Sequence, residues 1–347
     1  LDAGSLVGII ANPAAARDVR RIVAAGSIVT TNQKLGMLRR VLAGLGSVGV
    51  TRVLSMIDLS GVSGGLETLA TRPSAAGWPR LTFVDQPITG TASDTATAAE
   101  AMVAAGAAAI VVLGGDGTNR AVVDVVGDTP IVPISTGTNN AFPKRVEPTV
   151  AGIAAGLIAV GAVDAGFGVY RAKTLRVEAG NRCEPALVDV AITTASRVGA
   201  GALWDPNSVV QLFLCFAEPE AIGLSAIGSH LQPVDRTAPH GLVIDVGDPA
   251  SRTVRAPIAP GLLADVPVRS IAELRTDIRT PVLAGAGVVA IDGERMFTFD
   301  AASAPTVTLT IDGPLVVDVA RTLDHAARKG VLAHPFAHGQ PAIDHVP

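Results

Sequence analysis

From residue 5 to about 160, short β-branched runs alternate with Ala-rich stretches of helical length, and this alternation restricts the fold more than any other feature. It is the pattern of a parallel sheet whose strands are joined by crossover helices. The strand candidates are Leu6–Ala11, Arg52–Met56, Leu81–Val84, Ala109–Leu113 and Ile131–Ile134. Among the helical stretches, Leu35–Ala43 reads as one, and Ser93–Ala105 as another with Ser93 as its N-cap and Gly106 as its stop. The Gly/Ser/Pro-rich segment Ser60–Trp78 is expected to be a surface loop with at most one short helix.

After about Gly161 the texture changes to short alternating runs separated by Gly, Pro and Asp: Thr174–Glu178, Val188–Thr193, Leu242–Val246, Val254–Ile258, Val288–Ile291 and Val307–Ile311. These predict a second, mostly antiparallel region, interrupted by a helix-like insert over Pro219–Ser229. The amphipathic stretch Val316–Lys329 is long enough to pack as a helix, and the tail from His334 carries Pro and His. The expected division is residues 1–150, 151–314 and 315–347.

Composition narrows the class. The 347 residues are 48% hydrophobic but only 3% aromatic, so the apolar content is aliphatic and sufficient for two cores, which excludes disorder. A net charge of −4 argues against a nucleic-acid groove. The longest apolar stretch, around Ala107–Leu113, falls short of the roughly 18–20 residues of a membrane span, and the first apolar run has no basic segment before it, so it reads as a strand and not as a signal peptide. Cys183 and Cys215 form neither a disulfide framework nor a metal-ligand pattern, and a cytoplasmic location is expected.

Chemistry concentrates in Val111–Arg120, where an apolar strand runs into Gly114-Gly115-Asp116-Gly117-Thr118 and then a helical pattern. Glycines permit a tight turn at the carboxyl end of a strand, and a helix start offers N–H groups to phosphate. The plain alternative is an ordinary turn with Asp116 as a cap. A second small-residue turn, Thr136-Gly137-Thr138-Asn139-Asn140, follows the next strand, so both should face one crevice. No Gly-Lys-Ser/Thr occurs, which disfavours a Walker P-loop. The GxGxxG at Gly44–Gly49 follows a helical run instead of a strand and is the wrong context for a dinucleotide fingerprint.

Asp292-Gly293-Glu294 reads equally as a type I′ hairpin turn or as support for a site, while Asp312-Gly313 reads as a turn. His334 and His338 make a poor metal pair because Pro335 lies between them, so the metal ligands stay unassigned. Asp164, Arg197, Trp204 and Asp205 are weaker candidates for an interdomain cleft.

Gly-Gly-Asp-Gly-Thr, the pair Asn12-Pro13 after the first strand and the Gly-Thr-Asn-Asn turn resemble the superfamily of NAD kinases and diacylglycerol or sphingosine kinases. Within it, Val-Asp-Val-Ala, Trp-Asp-Pro, Ala-Glu-Pro, Ile-Gly-Leu-Ser-Ala-Ile-Gly and Ala-Pro-Ile-Ala-Pro-Gly are similar to the ATP-NAD kinase-like group of acetoin catabolism, over roughly residues 6–330. The resemblance implies an α/β fold: an N-terminal Rossmann-like domain, a C-terminal β-rich, sandwich-like domain, and a C-terminal helix returning to the first. It also implies ATP and Mg²⁺ and a small-molecule substrate such as NAD, and members of the family often form homo-oligomers; the charge and the short apolar runs leave neither nucleic acid nor membrane as an expected partner.

Asp116 and Glu294 would then be catalytic. Asn12, Pro13, Gly114, Gly115, Gly117, Thr118, Thr136, Gly137, Thr138, Asn139 and Asn140 would bind the nucleotide, and Asp189, Ser225 and Asp292 the acceptor. Two departures bear on the acceptor. Val188-Asp189 stands where NAD kinases have an Asn-Glu pair, and Ala217–Gly223 replaces their Thr-Gly-Ser-Thr-Ala-Tyr turn. A small-molecule kinase is therefore the leading expectation, with a nucleotide-sensing protein that has lost turnover, or a lipid kinase, as alternatives. The scarcity of aromatic residues and the lack of a basic amphipathic helix weigh against a lipid.

Overall fold

The computed structural model describes residues 5–11, 29–137, 140–194 and 206–333. Its first sheet contains β1 (Leu6–Ala11), β2 (Arg52–Ser55), β3 (Arg80–Phe83), β4 (Ala109–Gly114) and β5 (Ile131–Ser135), close to the expected runs. The order is β3-β2-β1-β4-β5, all parallel. It continues through β18 (Leu315–Val317), parallel to β5, to the antiparallel edge strand β6 (Val169–Arg171). Both faces of the sheet are covered, so residues alternate between two cores: Leu6, Ile10, Ile110 and Val112 enter one, and Val7, Ile9, Val111 and Leu113 the other.

The second core is closed by α1 (Thr31–Ser47), which Thr30 and Gln33 start with a capping box. The helices α2 (Val62–Ala70) and α3 (Ala92–Ala104) follow. The N-cap of α3 is Thr91 and not Ser93, because the Thr91 side chain accepts the Ser93 N–H. After the single turn α4 (Asp116–Arg120), α5 (Pro148–Ala159) crosses α1. The GxGxxG lies at the end of α1. A Cβ at Gly44 would sit 2.4 Å from the Thr149 carbonyl oxygen, and one at Gly152 2.4 Å from that of Val41. Those glycines bring two helices together.

Beyond the short helix α6 (Ala165–Gly168), two antiparallel sheets pack face to face. The smaller contains β7 (Thr174–Ala179), β8 (Arg182–Ala186), β14 (Arg279–Pro281) and β17 (Thr306–Thr310), in the order β14-β17-β7-β8. The larger contains β9 (Asp189–Thr193), β10 (Val209–Leu214), β11 (His240–Val246), β12 (Arg252–Ala259), β13 (Leu262–Arg275), β15 (Gly287–Ile291) and β16 (Glu294–Phe299), in the order β12-β13-β11-β10-β9-β15-β16. Leu175, Val177 and Leu309 of the smaller sheet share a core with Val190, Ile192, Phe213 and Val289 of the larger, forming a sandwich.

Two expected helices are shorter. In Pro219–Ser229 only α7 (Ser225–Ser229) is helical. In Val316–Lys329 the first residues belong to β18, and the helix is α8 (Val319–Arg328), started by Asp318. Strand β18 and helix α8 carry the chain back onto the first sheet and α5. Among the described residues no helix is long and apolar enough to cross a membrane.

Candidate functional site

The strand order of the first sheet reverses between β1 and β4, and open α/β sheets bind ligands at the carboxyl end of such a point. Gly114–Thr118 leave β4 there, and Thr136 leaves β5 beside them. Gly115 occupies the cap position of α4, so Asp116 does not cap its own helix. Its carboxylate instead accepts the N–H of Phe142 at 2.8 Å and that of Ala141 at 3.1 and 3.2 Å, which fixes it across the mouth of the second turn.

The two turns are in contact. Asn140 donates to the Ser135 hydroxyl at 2.9 Å, Ser135 donates to the Gly137 carbonyl at 3.1 Å, and a Cβ at Gly115 would lie 2.8 Å from Asn140 Oδ1. Thr118 is buried, and so is Thr136, whose hydroxyl has no partner among the described residues. Asn12, Pro13, Thr138 and Asn139 lie outside the described residues.

The opposite wall comes from the sandwich. Asp292 and Gly293 have φ of +49° and +76° and join β15 to β16 as a two-residue hairpin, so the turn reading of this segment holds geometrically. The same turn reaches the site. The buried Asp292 carboxylate accepts the N–H of Val188 at 2.8 Å, Leu187 at 3.1 and 3.2 Å and Asp189 at 3.3 Å, pinning the corner where β8 passes into β9. Burial pushes its carboxyl above the ordinary aspartate range, opposed by Arg120 and the three amides.

Arg120 extends from α4 to this hairpin, donating to the Ile291 carbonyl at 3.0 Å, with Glu294 at 3.5 Å and Asp292 at 3.9 Å. The Glu294 side chain is 53% exposed. Asp116, Ala141, Asp189, Asp292 and Gly293 line one crevice with Val188, Ile222, Gly223, Leu224 and Ile258, so carboxylates face aliphatic side chains across it. Ser225 lies one residue beyond that lining, buried, with no partner for its hydroxyl among the described residues.

Arg236 and Glu218 also belong to this neighbourhood. Arg236 donates to the carbonyls of Ala141 and Phe142 and to Glu218, which also receives Lys144 at 2.9 Å. Glu218 sits in the Ala-Glu-Pro segment, whereas nothing in the local sequence marks Arg236. Asp164 caps α6 through the Gly166 N–H; Arg197, Trp204, Asp205, His334 and His338 lie outside the described residues. Cys183 is exposed, Cys215 is buried, and both are free thiols. Among the described residues no cluster of three His, Cys, Asp or Glu side chains is placed to hold a metal ion.

Residues 7–163, which contain the first sheet's glycine turn, match the model of the ATP-NAD kinase N-terminal domain, consistent with an NAD kinase-like fold. Residues 173–312 match the C-terminal domain of acetoin catabolism protein X. Acetoin catabolism protein X of Cupriavidus necator is 42% identical over 336 residues, covering 94% of each chain. The chain belongs to the acetoin catabolism protein X family.

Proposed function

We propose that the chain is an ATP-dependent phosphotransferase that moves the terminal phosphoryl group of ATP onto a hydroxyl of a small molecule. The observation behind this reading is the setting of Asp116, a carboxylate held by two backbone N–H groups at the mouth of a glycine turn and lining a crevice. Phosphoryl transfer needs aligned phosphates and a group to receive the hydroxyl proton, and asks little covalent work of the protein. In this mechanism the acceptor oxygen attacks the γ-phosphorus, the bond to the bridging oxygen breaks, ADP leaves, and Asp116 takes the proton.

The residues present suit the nucleotide. Gly114, Gly115, Gly117, Thr118, Gly137 and Asn140 would meet the phosphates together with the Thr136 hydroxyl, which has no partner among the described residues; the family resemblance assigns Asn12, Pro13, Thr138 and Asn139 to the same nucleotide. Mg²⁺ would be held mainly by phosphate oxygens and water and would supply charge neutralisation, which fits a site where no carboxylate cage is found among the described residues. The first sheet with its helices binds the nucleotide and the sandwich binds the acceptor, while β18 and α8 return to the first sheet, so the expected boundary at residue 150 falls inside α5.

Asp189 and Glu294 face the acceptor from the sandwich side, Asp292 holds the corner that carries Val188 and Asp189, and Ser225 backs the crevice. The acceptor is a hydroxyl of NAD or of a smaller soluble metabolite. The relative's name refers to acetoin catabolism, and the aliphatic wall of Val188, Ile222, Leu224 and Ile258 suits a small hydroxyl compound.

Calorimetry with ATP and Mg²⁺ is expected to show binding, and no binding would overturn the reading. An assay for NADP formation at millimolar NAD then addresses the acceptor. No product, together with phosphorylation of another metabolite, discards NAD and keeps the kinase. Binding with no transfer to any metabolite favours a nucleotide sensor.

A further inference from the structure

Asp116 is placed by a loop, and that loop is gripped from the other side of the molecule. The amides of Ala141 and Phe142 hold the Asp116 carboxylate, while the carbonyls of the same two residues accept from Arg236, Phe142 at 2.8 Å. One dipeptide therefore has its donors committed to Asp116 and its acceptors committed to a side chain from the turn between α7 and β11.

Arg236 is itself fixed on several sides. It is 8% exposed, its Nη2 lies 2.8 Å from Glu218 Oε2, and its guanidinium stands 4.2 Å from the centre of the Phe216 ring and 5.8 Å from that of Phe142. Burial alone pushes the Glu218 carboxyl up, but Arg236 and Lys144 outweigh it and hold the group below the ordinary glutamate range, so the pair is ionised at neutral pH. The turn that delivers Arg236 is tied down by buried Lys173, whose ammonium donates to the carbonyls of Asp235 at 3.0 Å and His240 at 2.6 Å.

We propose that Arg236 is a positioning residue: by clamping the Ala141–Phe142 carbonyls from the sandwich side, it sets the Asp116 carboxylate for proton acceptance and ties that geometry to the seating of the two halves of the chain. The planar guanidinium is suited to this because it can reach two neighbouring carbonyls and a carboxylate together. Lysine, a point charge on a flexible stem, holds such a set less rigidly. The proposal rests on the kinase reading for its catalytic half, whereas the clamp itself is observable without turnover.

Hydrogen–deuterium exchange of the amides of Ala141 and Phe142 reads the clamp directly, in the full chain without ligand. Arg236→Lys and Glu218→Gln should each speed exchange at these two positions, by about tenfold or more for the arginine variant, while β1 and β4 exchange as slowly as in the parent. Unchanged exchange at 141 and 142 in both variants, or uniform acceleration throughout both, overturns the proposal.

Arg236→Met should speed the same two amides further; if it fails to fold, the two milder variants decide. In turnover of ATP with Mg²⁺, Arg236→Lys should lower kcat by about 10–100-fold with KM for ATP retained, the size expected when a reacting group is misplaced by about 1 Å. A rise in KM with kcat intact overturns the positioning role. A parent chain that binds but never turns over ATP refutes the catalytic half, and the exchange result then judges the clamp by itself.

Discussion

Replacing Asp292 separates its work as an internal acceptor from any contact with substrate. Its buried carboxylate takes the N–H groups of Leu187, Val188 and Asp189, and Arg120 lies 3.9 Å away. Asp292→Ala removes the acceptor, and each buried donor left without a partner costs about 1–3 kcal/mol. The Asp189 bond is long at 3.3 Å, so two donors carry most of the loss.

The φ of +49° adds to that loss, because a left-handed conformation costs alanine roughly 1–2 kcal/mol whereas Asp and Asn visit it more readily. The total expected for Asp292→Ala is about 3–8 kcal/mol by urea unfolding. Asp292→Asn keeps one acceptor oxygen and the conformation, and is expected to lose about 1–2 kcal/mol. If the alanine variant unfolds within about 0.5 kcal/mol of the parent, the ordinary size of a surface change, the corner is not held in this way.

Three further outcomes follow from the geometry. Gly44→Ala places a Cβ 2.4 Å from the Thr149 carbonyl and should destabilise the fold by about 1–3 kcal/mol with ATP affinity unchanged; lost nucleotide binding at parental stability would revive the dinucleotide reading of that segment. Glu294→Gln should leave stability within about 0.5 kcal/mol because the side chain is half-exposed, and reduced phosphoryl transfer at that stability supports a place in the site, whereas full activity removes it. Burial lowers Lys173 to about 8 from 10.5, so between these values the unfolded chain binds the extra proton and the lysine's contribution to stability rises with pH. Unfolding of parent and Lys173→Met across pH 7–10 should therefore shift in the parent's favour as pH rises, and a constant difference contradicts it.

The first sheet was legible because parallel strands covered on both faces read as short apolar runs bounded by glycine, and β1 matches its expected bounds at both ends. Long β13 escaped notice because Pro267 interrupts it and its pairing with β11 slips between Asp245 and Val246, so its apolar alternation changes phase partway along. Strand β18 was hidden inside an amphipathic run that continues into α8, since three residues are too few to show a period.

At the site, the glycine turn and Asp116 were visible as a motif, but the partners of that carboxylate were not. Ala141 and Phe142 contribute backbone N–H groups, which any residue other than proline carries, and Arg236 reaches them from 94 residues further along the chain. Asp292-Gly293 announced a hairpin because both positions favour positive φ. That its carboxylate would bind the Leu187–Asp189 corner depends on β15 pairing with β9, a long-range fact.

The most direct test is conversion of ATP to ADP with Mg²⁺ and a pool of cell metabolites, comparing the parent chain with Asp116→Asn at matched melting temperature. Asparagine is nearly isosteric and keeps an acceptor for the Ala141 and Phe142 amides, but is no base. Metabolite-stimulated turnover in the parent, falling roughly 10²–10⁴-fold in the variant, is the predicted result. Equal turnover by two equally stable proteins would contradict the assignment of Asp116 as proton acceptor, and no turnover in the parent with any metabolite would contradict the phosphotransferase itself.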